Sequence, residues 1–286
     1  MTGMITEPGI YDVSPEFYHS DCCDGVSVSS SMLTAIRGRS PAHFWNESYY
    51  NPERAGQKYS PHFSLGQAAH SMLLEKHLPN HTYLVSPHKD FRTKEARAWR
   101  DEAIINGKII VTSGDLEIIT GMADSLAKHP LIRDGLFDGK IEKSLFWKDE
   151  RHDLWLKSRP DVIPHDDILV DLKTVANGSI RSVSNSVADY GYHMQAALMA
   201  DGMAALTGRK IEQYAIVAVE KTAPYVVSVY PIDPGYIDVG RKEYQHTLSI
   251  FAECWAKEEW PGYADKTLYA PEWLRQRVEY IEQEAA

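Results

Sequence analysis

Cysteine is scarce, and its placement excludes whole architectures. Only three are present, two of them adjacent (Cys22, Cys23) and the third far away at Cys254. That arrangement supplies neither a disulfide framework nor a four-thiolate metal site, so ordinary reduced thiols are expected. Long apolar runs are missing as well. No stretch approaches membrane-spanning length and no charged-then-apolar leader opens the chain, which predicts a soluble cytoplasmic protein with no membrane partner. Positive charge is in deficit: Asp and Glu total 40 against 30 Lys and Arg, a formal net charge of −10. That balance argues against broad electrostatic contact with a polyanion. Basic residues still concentrate locally, in Arg92, Lys94, Arg97 and Arg100 and again in Lys140, Lys143, Lys148, Arg151, Lys157 and Arg159. A solvated helix face accounts for the first group as readily as a nucleic acid does. Repeats and low-complexity linkers are absent, and 286 residues at 43% hydrophobic content suffice for one large α/β unit.

Residues 1–27 are rich in Gly, Pro, Asp and aromatics without periodicity and read as an irregular arm. One domain is expected over 28–286, with a helical elaboration at 28–130, a core at 113–232 and C-terminal helices at 235–286. Ser29, Ser30 and Ser31 are N-cap candidates for one helix, and Ser40 with Pro41 opens another. A serine-capped N-terminus can also hold a phosphate, which makes Ser30 and Ser31 candidates for that role, with Arg159 from the second basic group. A helix from Ser60 carries Leu65, Ala69, Met72 and Leu73 at helical spacing, small residues at Gly66 and Ala68, and His70. Further helices are expected over 93–108 and from a Ser113 cap, with Asp115 and Glu117 in the first turn of the latter.

The pattern then changes to strands at 140–149, 153–163 and 168–175. A helix over 187–206 follows, with Tyr192 and Gln195 sharing a face at i, i+3. Two more strands flank a turn at Thr222–Ala223–Pro224, and two amphipathic helices rich in Trp and Tyr end the chain. The chemistry concentrates in the second and third strands. Alternation puts Asp171 and Lys173 on one face and Val170 and Leu172 on the other. A turn at Pro164–Asp167 makes a hairpin that can bring Asp161 beside Asp171. Two carboxylates so close repel unless a cation or proton lies between them, and a neighbouring lysine suits a hydrolytic site with an anionic transition state. A generic metal site, a carboxylate-pair glycosidase and a non-catalytic binding module are all compatible with this much.

The element order, with Pro160-Asp161, nine intervening residues and Asp171-Leu172-Lys173, resembles the PD-(D/E)XK nuclease superfamily. Leu65 to His70, continuing into Ser71 to Glu75, resembles the histidine-bearing helix of its RecB-like branch, and Tyr192-His193-Met194-Gln195 its glutamine motif. The segment from Val26 is similar to the start of RecE-type exonuclease VIII nuclease domains. The resemblance implies a restriction-endonuclease-like α/β core, a mixed sheet flanked by helices. It implies that Asp161, Asp171 and the Leu172 carbonyl bind Mg²⁺ or Mn²⁺, two ions in all, with His70 completing a second position. Lys173 would orient the attacking water, supported by Gln195 and by Tyr190 or Tyr192, with Glu142 a further acidic candidate. It also implies an exonuclease acting on double-stranded DNA ends, a ring-shaped homo-oligomer and a RecT-type annealing partner. A nuclease of the same fold acting as an endonuclease or in repair or defence is the alternative. Two departures stand out: Met199 occupies a place where many relatives have tyrosine, and three cysteines cannot build the iron–sulfur cluster that some relatives carry.

Overall fold

The computed structural model describes residues 3–54, 61–75, 83–164 and 168–284. The arm carries β1 (Gly9–Tyr11) and α1 (Pro15–Tyr18), and β2 (Ser27–Ser29) leads into α2 (Ser30–Gly38) and α3 (Pro41–Glu47). Next, α4 (Pro61–His70) runs into a π-helical turn, Ser71–Glu75, followed by β3 (Tyr83–Val85), α5 (Lys94–Ile105), β4 (Ile109–Val111), α6 (Ser113–Lys128) and α7 (Pro130–Arg133). Five strands follow: β5 (Gly139–Ile141), β6 (Ser144–Asp149), β7 (Leu154–Ser158), β8 (Val162–Pro164) and β9 (Ile168–Val175). The order ends with α8 (Ile180–Asp189), α9 (Tyr192–Thr207), β10 (Gln213–Glu220), β11 (Val227–Pro231), α10 (Pro234–Lys257) and α11 (Glu272–Glu284).

Two sheets share one bent ribbon. The first has the order β11-β10-β9-β8-β5 and the second β1-β6-β7-β2, while β3 and β4 form a separate parallel pair. The runs 140–149 and 153–163, each expected as one strand, both break. Their near ends, β5 and β8, pair in the first sheet, and their far ends, β6 and β7, pair in the second. The breaks face each other. Glu142 adopts φ 52°, the left-handed region, and its N–H donates to the Asp161 carbonyl at 3.0 Å. On the opposite strand Pro160 removes a backbone donor, so the ladder cannot continue straight through. The bend therefore falls at Asp161. Residues 165–167 of the expected turn lie outside the described residues, but β8 and β9 are antiparallel, with Val162 opposite Val170.

The first sheet is covered on both faces, which explains its near-continuous apolar strands. On β9 and β10, which run parallel, Leu169, Ile216 and Ala218 face the core built with α9. Val170, Leu172, Val217 and Val219 face the core built with Ala68 and Ala69 of α4 and Ile119 and Met122 of α6. The α9 helix is apolar nearly all round because it is wedged between this sheet, the inner face of the second sheet (Leu145, Trp147, Leu156) and α10. Contact with α10 is backbone to backbone: a Cβ on Gly240 would lie 2.2 Å from the His193 carbonyl oxygen.

Several expectations need correction. The helix over 187–206 is two helices, α8 and α9, divided at Gly191, whose φ of 69° no continuous helix contains. The α6 cap is Thr112 rather than Ser113, in a capping box where the Asp115 carboxylate accepts the Thr112 N–H at 2.8 Å. The arm, expected to be irregular, carries short elements among its loops. β1 pairs with β6, Ile5 bridges Cys23, and Ile5, Val13, Tyr18, Cys22 and Cys23 cover Phe146 and Trp155. Elements of three or four residues are too short to show a period. Ser60 and the segment after Glu75, expected to extend the His70 helix, lie outside the described residues. Among the described residues no helix is long and apolar enough to cross a membrane.

Candidate active site

Asp171 and Lys173 project from β9 toward α9, as alternation requires. Asp171 is 1% exposed and its Oδ2 stands 2.6 Å from Lys173 Nζ. Gln195, one turn into α9, joins the pair: its Nε2 donates to Asp171 Oδ1 at 3.1 Å and its Oε1 accepts from Lys173 Nζ at 3.4 Å. The Tyr192 ring covers the ammonium, with Nζ 4.5 Å from its centroid. Gly191 sets this geometry. By starting α9 afresh it aims the first turn, Tyr192 to Gln195, at β9, and a Cβ there would meet Thr34 Oγ1 at 2.8 Å.

Asp161 sits in the ribbon's bend, where it no longer belongs to either sheet's ladder. Its Oδ2 accepts the Leu172 N–H at 2.6 Å, which locks the carboxylate beside β9. His70 approaches from the last residue of α4, with Nδ1 3.6 Å from Asp161 Oδ1. Glu142 comes from the other side of the bend. Ligand atoms of His70, Glu142 and Asp161 all lie within 4.8 Å of one another. Arg159 grips Glu142, its Nε donating to Oε2 at 2.6 Å while its Nη1 donates to the Val13 carbonyl and Ser144 Oγ.

The charges are unequal in consequence. Burial, and after it the neighbouring Asp171, drives the Asp161 carboxyl well above the usual range. Burial alone would lower Lys173, but Asp171 and then Asp161 more than offset it and hold the ammonium above its ordinary value. Burial and then the Lys173 charge push His70 down, so its contact with Asp161 at neutral pH is not an ion pair; the imidazole is neutral and keeps a lone pair. Asp171 Oδ2 completes the picture. It is buried and accepts no well-angled hydrogen bond, despite the nearby ammonium.

The remaining candidates fall around this centre. Leu172 contributes its main chain, donating to Asp161 and touching His70. Tyr190 is exposed, its ring 5.8 Å from that of Tyr192. Because β2 runs parallel to β7, α2 begins at the end of the second sheet nearest Pro160 and Asp161; there Ser31 Oγ is 2.9 Å from Ser29 Oγ. Arg159 is turned inward as the clamp on Glu142. The basic run around it does not form one face: Lys157 is buried, Lys143 pairs with Asp12 and Lys148 lies over Trp155. Tyr214 escaped the sequence reading. Buried on β10, its hydroxyl donates to Met199 Sδ at 3.8 Å and lies against Asp171, which with burial raises its pKa. Its place two residues before Ile216, which registers with Asp171, was the available signal.

The donor set fits a hard divalent cation. Carboxylate oxygens of Asp161 and Glu142 and one imidazole, with Asp171 alongside, are what such an ion would take, and its charge would offset the burial and repulsion that raise Asp161. No curated protein is similar enough in sequence to align with this chain. Among solved structures, a candidate exonuclease from Eubacterium rectale superposes with a TM-score of 0.64 at 13% identity, over 91% of this chain and 96% of that one. An alkaline exonuclease from Laribacter hongkongensis gives a TM-score of only 0.26 at 11% identity, covering 67% of this chain and 97% of that one. The first likeness shows a shared fold; the second is too loose to carry an argument. With a mixed α/β core and a Pro-Asp bend set against Asp171-Leu172-Lys173, residues 29–272 match the family described as a PDDEXK-like domain of unknown function (DUF3799), and the chain belongs to it.

Proposed function

We propose that this protein is a Mg²⁺- or Mn²⁺-dependent exodeoxyribonuclease that degrades linear double-stranded DNA, working 5′ to 3′ and leaving a 3′ single-stranded tail. The observation that carries the reading is the convergence of Asp161, Asp171, Lys173 and Gln195 beside the His70, Glu142 and Asp161 cluster. Together these parts suit metal-assisted hydrolysis of a phosphodiester. Polarity, a ring-shaped oligomer and a RecT-type annealing partner rest on the resemblance to RecE-type nucleases. In this reading residues 28–286 act as one nuclease unit.

Asp161, Asp171, Glu142, His70 and the Leu172 carbonyl would hold the ions. Bound there, they would acidify water and stabilise the entering and leaving oxygens of an in-line displacement. Lys173 stays charged, so it serves as a positioning and electrostatic group rather than a base. Gln195 bridges Lys173 and Asp171, and the Tyr192 ring lies over the ammonium. Ser30 and Ser31, at the N-terminus of α2, would receive a backbone phosphate of the DNA end.

The decisive assay follows nucleotide release from linear duplexes labelled at either end, and from closed circles, with Mg²⁺ and with chelator. Early release of the 5′ label, from linear DNA only and only with the cation, is the expected result. Cutting of circles would make the enzyme an endonuclease, and no metal-dependent release at all would leave a binding module.

A further inference from the structure

Far from the carboxylates, Lys157 presents a problem of charge. Alternation on β7 sends Trp155 and Lys157 to the outer face of the second sheet, which the arm covers, and Lys157 ends 1% exposed. Its Nζ donates to the carbonyls of Tyr18 at 2.7 Å and Ser20 at 3.0 Å and to the Tyr49 hydroxyl at 3.1 Å. The rings of Tyr18 and Tyr49 lie 5.3 and 5.2 Å away. Among the described residues no carboxylate forms an ion pair with it. A buried ammonium is costly unless an anion neutralises it. The acid in contact is Cys22, whose Sγ is 3.7 Å from Nζ and which is itself 1% exposed. Cys23 Sγ stands 4.0 Å from Cys22 Sγ, placed to donate its S–H to a sulfur anion.

We infer that Cys22 and Lys157 form a thiolate–ammonium pair that reacts with peroxide, oxidised Cys22 being captured by Lys157 as a sulfur–nitrogen link. Burial lowers Lys157, and the charge of Cys22 and then of Cys23 works against that fall. The Cys23 hydrogen bond outweighs burial and, with Lys157, brings the Cys22 thiol down to about 7. The same hydrogen bond, and after it burial, push Cys23 up, which keeps it a protonated donor. In the first step the thiolate attacks hydrogen peroxide; an S–O bond forms, the O–O bond breaks, and the leaving hydroxide takes a proton from the ammonium and departs as water. The freed amine then displaces the hydroxyl from sulfur, forming the S–N bond, and the hydroxyl leaves as a second water with an amine proton. One thiolate, one ammonium and one peroxide thus give one sulfenamide and two waters, with sulfur losing the two electrons that peroxide gains. The product replaces an ion pair by a covalent staple between the arm and β7. That arm also supplies the Val13 carbonyl that holds Arg159 on Glu142.

The inference does not depend on nuclease activity, and its test does not measure it. The full chain is exposed to hydrogen peroxide at neutral pH, alkylated, digested without reductant and mapped by mass spectrometry, alongside Cys22→Ser, Cys23→Ser and Lys157→Arg. Wild type and Cys23→Ser should yield the Cys22 and Lys157 peptides joined, and thiol reduction should separate them. Cys22→Ser should yield none. Lys157→Arg, which keeps the charge but not the amine, should stop at a trappable sulfenic acid. Oxidation of Cys22 should run about tenfold faster than that of Cys254, the net of a larger thiolate fraction and a weaker intrinsic nucleophile. A Cys22–Cys23 disulfide as sole product, or Cys22 no faster than Cys254, would overturn the inference. The cysteine variants keep the test valid if Lys157→Arg does not fold.

Discussion

Asp161, in the bend before β8, and Asp171, on β9, share one site, yet the protein treats them differently. Asp171 is neutralised by Lys173 and oriented by Gln195, whereas among the described residues Asp161 accepts the Leu172 N–H and touches His70. Its raised pKa has a definite sign in stability. A carboxyl that binds its proton more tightly when folded contributes stability at low pH that is lost as pH rises through the folded value. With chelator present, Asp161→Asn should therefore be more stable than wild type, and the gap should widen from acidic to neutral pH. Thermal melts across that range check it; an unchanged or lower melting point would refute the assignment. Lys173→Ala should lower cleavage by roughly a thousandfold, the upper range for losing one preorganised charge-stabilising donor, while calorimetry still detects the cation. Tyr214→Phe removes the hydroxyl beside Asp171. Turnover should drop roughly tenfold with KM unchanged, the signature of a group that positions rather than binds.

Between elements, the positions that matter most are those where backbones meet. The first turn of α9 must reach β9, and α9 is seated by α10 at Gly240. Gly240→Ala would drive a methyl into the His193 carbonyl, which cannot yield without separating the helices. A loss of about 2–3 kcal/mol, read from denaturant unfolding, is expected, and activity should suffer with it because Gln195 follows two residues after His193. The ribbon's bend is the other such place. Glu142 in the left-handed region and Pro160 opposite turn one hairpin into a hinge between sheets, which frees Asp161 from the ladder to face His70. Strand signals alone run straight through both breaks, so 140–149 and 153–163 read as single strands where one ribbon is shared by two sheets.

For the whole molecule, the site gathers Glu142, Asp161 and Asp171 within a chain of net charge −10. A divalent cation should therefore stabilise it. At a concentration a hundredfold above its dissociation constant, binding to the native state alone adds about 2.7 kcal/mol. Differential scanning calorimetry should show melting raised by Mg²⁺ or Mn²⁺ in wild type and much less in Asp161→Asn. Equal shifts in both would place the ion elsewhere.

Much of this was legible in one dimension. The strand at 168–175 and the alternation that sets Asp171 and Lys173 apart from Val170 and Leu172 follow from a period of two, which is a property of the chain itself. The i, i+3 pairing of Tyr192 and Gln195 and the cap at Ser40 are equally local. What the local pattern could not carry is which distant groups share a charge. Glu142 became part of the His70 and Asp161 cluster because a ribbon bends, and Arg159 became its clamp rather than a free cation. Tyr214 reached Asp171 because parallel pairing of β9 with β10 fixes its register, and Lys157, one of the six basic residues between Lys140 and Arg159, was buried against Cys22 by an arm without periodicity. Periodicity is encoded between near neighbours, whereas burial and pairing depend on packing across the fold, where the cost of an uncompensated charge selects its partner.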